Sequence, residues 1–254
     1  MRLNKFISHN TKYSRREADK LISEGNVRVN GKTNSDLSTQ VSYDDTVEVH
    51  NKKIFKKSEF TVLVYHKPKG ELVSKKDDRG RRTIYDTLPK KYSHFISVGR
   101  LDYASEGLLL LTDASAIASA LMESDLERVY YLKIKGEVSE AMKDAMQNGL
   151  ELSDASKGGH AMSKIKSMSF APFVAFHVFG SSGGYTKLKV MINEGKNREL
   201  RRFFAHFDAD ITDLKRVSYG RVDLGVLKSG KHRFLTTSEY EDLRAFLKDN
   251  KVYY

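Results

Sequence analysis

Asp102 stands two residues after Arg100 in the stretch Gly99-Arg100-Leu101-Asp102-Tyr103-Ala104-Ser105-Glu106-Gly107, between two apolar runs, with glycines at both ends that permit tight turns. A carboxylate held near a guanidinium stays ionised, the state that a nucleophile or a general base needs. The same pairing also serves simply to fix a loop, so these residues by themselves leave both readings open. A second charged stretch is Asn193-Glu194-Gly195-Lys196-Asn197-Arg198-Glu199-Leu200-Arg201-Arg202-Phe203-Phe204. Arg198, Arg201 and Arg202 are spaced i, i+3 and i+4, which on the opening turns of a helix predicts one cationic face near the helix N-terminus, suited to phosphate. The alternative is a solvated helix surface partly neutralised by Glu194 and Glu199. Tyr103, Tyr130 and Tyr131 offer ring faces for a base, although a tyrosine in a strand also serves as core or rim packing.

Other chemistries find little support. Gly180-Ser181-Ser182-Gly183-Gly184 lacks the lysine and spacing of a Walker loop and reads as a turn. The 8 His contain no HExxH pair, so no metal site is expected. There is no cysteine, which removes disulfides, thiolate metal sites and cysteine nucleophiles. The 44 Lys and Arg exceed the 33 Asp and Glu, for a formal charge of +11 in 254 residues, which makes polyanions the first class of partner to consider. Met1-Arg2-Leu3-Asn4-Lys5 opens without the apolar stretch of a signal peptide, and no run approaches a membrane span, so a cytoplasmic protein without membrane contact is expected.

The elements that must position these residues follow from periodicity. Leu3, Phe6 and Ile7 predict a short helix. Ser14-Arg15-Arg16-Glu17 has the form of a capping box, opening a second helix with Ala18, Leu21 and Ile22 inward and Gly25 at its end. Arg15, Arg16 and Lys20 then form a basic outer face. Val27-Arg28-Val29 runs into an Asn30-Gly31 turn, and Asp45–Val49 is a second strand. Asn51–Ser58, rich in lysine, is the linker candidate, read as either plain solvated chain or direct RNA contact. Beyond it, strands are expected at Phe60–His66, Phe95–Val98, Leu108–Thr112, Tyr130–Gly136 and Lys187–Ile192, and helices at 114–122, 199–207 and 239–248. Without strict βαβ alternation this predicts an α+β fold, with a small unit at 1–58 and a larger one, built on a mixed and mainly antiparallel sheet, at 59–254.

Taken in order, the motifs resemble those of the ribosomal RNA pseudouridine synthases. Arg2–Ile7, Ser14–Ala18 and Val27–Gly31 resemble an S4 RNA-binding domain, a module shared with ribosomal protein S4 and tyrosyl-tRNA synthetases. Tyr65–Gly70, Gly99–Asp102 with Glu106–Thr112, Arg128-Val129-Tyr130, and Glu194–Arg202 resemble the catalytic motifs. The resemblance implies that Asp102 is the essential aspartate, that Tyr130 stacks on the target uracil and assists proton removal at C5, and that Arg201 pairs with Asp102. It implies further that Arg100 helps hold the nucleotide out of its stack. Val129 departs from the charged residue common before the tyrosine, and Tyr131 offers a second candidate. Tyr130 is preferred for its spacing from Arg128 and Gly136.

The implied reaction breaks the uracil N1–C1′ bond, turns the ring and joins C5 to C1′, with no net redox change and no cofactor. The carboxylate either attacks covalently or takes a proton from the sugar. The base must first leave its helix. Asp77–Pro89 and Lys196–Arg202 are most similar to the branch that modifies position 2605 of 23S rRNA; neighbouring branches act on 23S positions 2604 or 2457, or on 16S position 516. Arg2, Lys5, Arg15, Arg16, Lys20, Arg28, Arg100, Lys196, Arg198 and Arg202 are the expected RNA contacts of a monomer whose partner is rRNA. A non-catalytic ribosome-associated binding protein and an unrelated α+β protein with a chance basic surface are the competing readings. The second does not account for the ordered motifs.

Overall fold

The computed structural model describes residues 1–42, 44–55, 59–160 and 162–252. The chain opens with α1 (Leu3–Asn10) and α2 (Arg15–Ser23), then β1 (Val27–Val29), β2 (Lys32–Asn34), β3 (Val47–Val49) and β4 (Lys52–Lys53). Both bonds of the expected capping box are made, Glu17 N to Ser14 Oγ at 3.2 Å and Ser14 N to Glu17 Oε2 at 2.7 Å. The helices bury Leu3, Phe6, Ile7, Ala18, Leu21 and Ile22 against Val27, Val41, Val47 and Val49. Asn30 and Gly31 both take positive φ, 51° and 79°, as a two-residue hairpin turn requires. The result is a sheet of order β2-β1-β3-β4. The linker expectation needs correcting: Lys52 and Lys53 pair with Val49 and Glu48 as an edge strand. Lys56, Lys57 and Ser58 lie outside the described residues.

The rest of the chain runs β5 (Val62–Lys67), α3 (Ile84–Thr87), β6 (Ile96–Ser97), β7 (Glu106–Thr112), α4 (Ser115–Glu123), β8 (Arg128–Lys135), α5 (Glu140–Asn148), β9 (Leu150–Leu152), β10 (Met168–Phe170), β11 (Ala175–Ser182), β12 (Tyr185–Ile192), α6 (Glu199–His206), β13 (Ile211–Tyr219), β14 (Val222–Asp223), β15 (His232–Phe234) and α7 (Thr237–Asp249). The fold is α+β, as expected. Its main sheet has the order β11-β12-β8-β13-β7-β5-β15 and is antiparallel except where β13 runs parallel to β7.

β5 and β7 are buried on both faces, which is why Val62–Tyr65 and Leu108–Leu111 are unbroken apolar runs. Leu63, Tyr65, Leu109 and Leu111 face one core with α5 and α6; Val62, Val64, Leu108 and Leu110 face another with α4 and α7. β13, at the centre of the sheet, falls outside the expected strands. Its sequence Ile-Thr-Asp-Leu-Lys-Arg-Val-Ser-Tyr alternates, but Arg216 is a buried member of it, so apolarity alone does not mark it.

The β7–β13 contact depends on one glycine. Gly107 sits at φ +111°, and a Cβ placed there would lie 2.1 Å from the Arg216 carbonyl oxygen. Gly107→Ala is expected to destabilise the fold by about 3 kcal/mol or more, since both backbone strain and overlap act. Gly230→Ala, at φ +75° with open space around it, should lose only about 1–2 kcal/mol. Equal losses in denaturant unfolding of the two variants would contradict the close-approach explanation.

Candidate active site

A cleft of about 700 Å³ opens where the loop after β6, the inner face of β8 and the start of α6 meet. Asp102 lies on its wall with its side chain 30% exposed. Its carboxylate Oδ2 meets Arg201 Nε at 3.2 Å and Arg198 Nη1 at 3.1 Å. The counter-charge therefore comes from α6 and its cap, while the adjacent Arg100 stands exposed on the cleft lining. Arg201 also donates from Nη1 to the Ile211 carbonyl at 3.0 Å and from Nη2 to Ser105 Oγ at 3.1 Å, so its orientation is set by three partners. Burial lowers the pKa of this guanidinium and Asp102 opposes that shift.

Lys67, wholly buried at the end of β5, holds the Asp102 loop from beneath. Its ammonium donates to the carbonyls of Pro68 at 2.9 Å, Asp102 at 3.1 Å and Ser105 at 2.8 Å, and Gly70 N donates to the Tyr103 carbonyl at 2.8 Å. Burial pulls the Lys67 pKa down to about 8, against the pull of Glu71, Asp102 and Glu106. The Lys67-Pro68-Lys69-Gly70 turn is thus the seat of the Asp102 loop. Proline and glycine mark this turn in the sequence, and a lysine directly ahead of that proline, at the end of a strand buried throughout, is the signal for its task.

The expected single face of three arginines does not form. Arg198 lies outside α6 as its N-cap, at φ +51°, a left-handed conformation that aims its guanidinium at Asp102 and at the Gly158 carbonyl, 2.7 Å from Nε. Arg202 is fully buried and donates to the carbonyls of Ala155 and Asn197, to Ser163 Oγ at 2.8 Å and to Asn197 Oδ1 at 3.3 Å. Its expectation as an RNA contact is corrected, because its nitrogens are taken by Ala155 and Ser163 and by Asn197 just ahead of α6. Lys196 is half committed, to Glu194 at 2.7 Å and the Ser169 carbonyl at 2.7 Å. In the N-terminal unit Arg2, Arg15, Arg16, Lys20 and Arg28 are exposed and Lys5 is half-buried; Lys20 lies 3.7 Å from Glu24.

Alternation along β8 separates the two tyrosines. Tyr130 is buried on the cleft wall, whereas Tyr131 is 43% exposed on the other face of the sheet. Two buried arginines, neither given a role beforehand, complete the wall. Arg128 donates to the Asn193 carbonyl at 2.6 Å and to Tyr219 Oη at 3.0 Å, tying β8 to the turn that leads into α6. Arg216 Nε donates to the Leu108 carbonyl at 2.8 Å. Among the described residues there is no cluster of acidic and histidine side chains able to hold a metal, and no helix long and apolar enough to cross a membrane.

Residues 61–206 match the RNA pseudouridylate synthase family, and residues 1–47 match the S4 domain. The chain belongs to the RNA pseudouridylate synthase family. A Helicobacter pylori protein named as an uncharacterized RNA pseudouridine synthase is 53% identical over 249 residues, covering 97% of this chain and 95% of that protein. The Bacillus subtilis ribosomal large subunit pseudouridine synthase B is 32% identical, with 98% of each chain covered. A crystal structure described as a pseudouridylate synthase superposes with a TM-score of 0.63 at 27% identity, over 96% of this chain and 99% of that one. This enzyme therefore carries the family's catalytic fold together with an S4 unit.

Glu199 opens α6 on the cleft wall and is buried beside Glu194. Burial, reinforced by Glu194, pushes its pKa up to about 7, while the Lys196 N–H, 2.9 Å from Oε2, pulls the other way. A carboxyl with a folded pKa above its unfolded value of 4.5 holds its proton in the fold after the unfolded chain has lost it. Stability from this group is present at acid pH and declines as pH rises from about 4.5 through about 7. Glu199→Gln should abolish that decline, read as the pH dependence of the unfolding free energy relative to wild type. Parallel profiles for the two proteins would show that Glu199 does not titrate in this window.

Proposed function

We propose that this enzyme converts one uridine of ribosomal RNA to pseudouridine, in the large subunit and at 23S position 2605, acting as a cytoplasmic monomer without a cofactor. The observation that carries the reading is the Asp102 carboxylate, held by Arg198 and Arg201 in the same cleft as the buried Tyr130 ring. Relatives named ribosomal large subunit pseudouridine synthase B support the large-subunit target, and the Asp77–Pro89 stretch supports the position.

In this reading the flipped uracil enters the cleft with its C1′ near Asp102. Asp102 drives cleavage of N1–C1′, either by attack at C1′, through a bond that breaks again as C5 joins, or by taking a sugar proton that it returns once C5 has joined. The detached ring turns against the Tyr130 face, C5 joins C1′, and the proton lost from C5 is balanced by one gained at N1. Arg201 positions Asp102 and supplies its counter-charge; Arg100, on the open side, holds the displaced nucleotide. The exposed cations of the S4 unit, Arg2, Arg15, Arg16, Lys20 and Arg28 with Lys5 beside them, contact phosphates away from the cleft.

Pseudouridine mapping of rRNA from a strain lacking the gene tests both reaction and position. One site, 23S 2605, should disappear, and return with the native protein but not with Asp102→Asn, whose rate should fall at least about a thousandfold. Loss at 2604, 2457 or 16S 516 would correct the position; restoration by Asp102→Asn would remove Asp102 from its role; an unchanged map would favour a binding protein. We also place the boundary of the N-terminal unit at residue 58. Deleting residues 1–58 should weaken RNA binding and flatten its salt dependence while residues 59–254 stay folded by circular dichroism. An unfolded remainder would refute that boundary.

A further inference from the structure

The main sheet has two faces, and only one belongs to the cleft. Along β8, Tyr130, Leu132 and Ile134 lie in the core, while Tyr131, Lys133 and Lys135 alternate with them on the opposite face. β12 repeats this, with Leu188 and Val190 inside and Tyr185, Lys187 and Lys189 outside. Over β5 and β7 the opposite face is covered by α4 and α7. Over β8, β12 and β11 it stands open, with Tyr131 43%, Phe179 53% and Tyr185 37% exposed.

Phe179 reaches this face by alternation, because Val178 beside it packs on the inner core. The β11–β12 register passes from Val178↔Leu188 to Gly180↔Lys187, which leaves Phe179 as the extra residue. Here the ring stacks on Tyr131 from two strands away, with centroids 5.9 Å apart and planes 25° apart, and meets the His177 ring edge-on at 4.8 Å. Lys187 and Lys189 lie on the strand between them, Lys133 Nζ is 4.4 Å from the Tyr185 ring centroid, and Lys215 is opposite Tyr131 in register. The acidic neighbours are Asp213, paired with Lys69 at 2.6 Å, and Glu106, opposite Lys215. Exposed rings among ammonium groups suit unpaired nucleotides, whose bases stack while their phosphates meet lysines. Protein interfaces, by contrast, are depleted in lysine.

We infer that this open sheet face is a second RNA-contact surface, on the side away from Asp102, that takes unpaired nucleotides of the RNA whose target uridine enters the cleft. The inference rests on the RNA-modifying reading above. Bases pack on Tyr131 and Phe179, and the backbone runs along Lys133, Lys187, Lys189 and Lys215.

Ultraviolet cross-linking of the full chain to a 23S rRNA fragment containing the target loop, followed by peptide mass spectrometry, reads the contact directly. Cross-links, resolved to single residues by fragmentation, are expected at Tyr131 or Phe179 as well as at cleft residues. Tyr131→Ala combined with Phe179→Ala should bind a labelled single-stranded RNA of about 12 nucleotides roughly tenfold more weakly, and Tyr131→Phe alone should bind as wild type does. Lys187→Ala with Lys189→Ala should reduce the slope of log affinity against log salt by roughly 0.7 per lysine. Matching thermal melts would show that these variants are folded. The surface is refuted if cross-links fall only on cleft residues, Tyr130 among them, and N-terminal residues, and both double variants bind normally. It is equally refuted if the wild type sediments as a dimer that the variants break, which would give the face to a second copy. Pseudouridine formation by the unsubstituted chain is assayed on the same RNA, so its absence would sink the enzyme reading without deciding where the cross-links fall.

Discussion

The contact between Asp102 and Arg201 joins residues 99 positions apart, and the cleft exists only while both ends are held. A long side chain does not keep one orientation by itself, since it has several rotatable bonds and an entropic reason to use them. Arg198, Arg201, Arg202 and Lys67 are therefore each tied to more than one partner. Arg201 divides its donors among Asp102, Ser105 and Ile211, and Arg202 among Ala155, Asn197 and Ser163. Lys67 reaches the carbonyls of Pro68, Asp102 and Ser105. Carbonyl oxygens are good partners for this purpose, because they offset part of the desolvation of a buried cation and cannot move independently of the chain. The carboxylate is thus positioned by backbone, with cations as the connectors.

The sheet makes the same cleft possible at a larger scale. β5 and β7 are apolar on both faces and are packed from both sides, giving a rigid base on which the Asp102 loop and the Lys67 turn sit together. The parallel approach of β13 to β7 brings Leu214 and Arg216 into the cleft, and Gly107 is where that approach is closest. Where the helices end, the outer face remains uncovered, so one strand, β8, presents a buried tyrosine to the cleft and an exposed one to solvent.

Much of the fold is legible in the residues. Ser14 and Glu17 announce the start of α2, Asn30-Gly31 the first hairpin, and Leu108–Leu111 a strand buried on both faces. The signals fail where charged residues sit in strands. β13 holds Lys215 and Arg216 within an otherwise alternating strand, and Lys52-Lys53 looks like a solvated linker although it closes a four-stranded sheet. In both cases main-chain pairing decides the structure, and pairing partners distant in sequence leave no local mark.

The arginines of Arg198–Arg202 show the same division at the site. Helical spacing places three cations near one another, but it assumes that the helix includes Arg198 and that its neighbours are solvent. The left-handed turn at Arg198 and the contacts of Ala155 and Ser163 with Arg202 reverse both assumptions. What the sequence by itself determined was the set of groups: an aspartate in a glycine-bounded loop, a tyrosine on a strand, a run of arginines at a helix start, and a basic N-terminal unit. Motif resemblance already pointed to Arg201 and Tyr130, but that Arg198 also meets Asp102 and that Arg202 is locked in the core were decided only by the tertiary structure, because side-chain direction depends on backbone turns and loop packing set by residues far away in the chain.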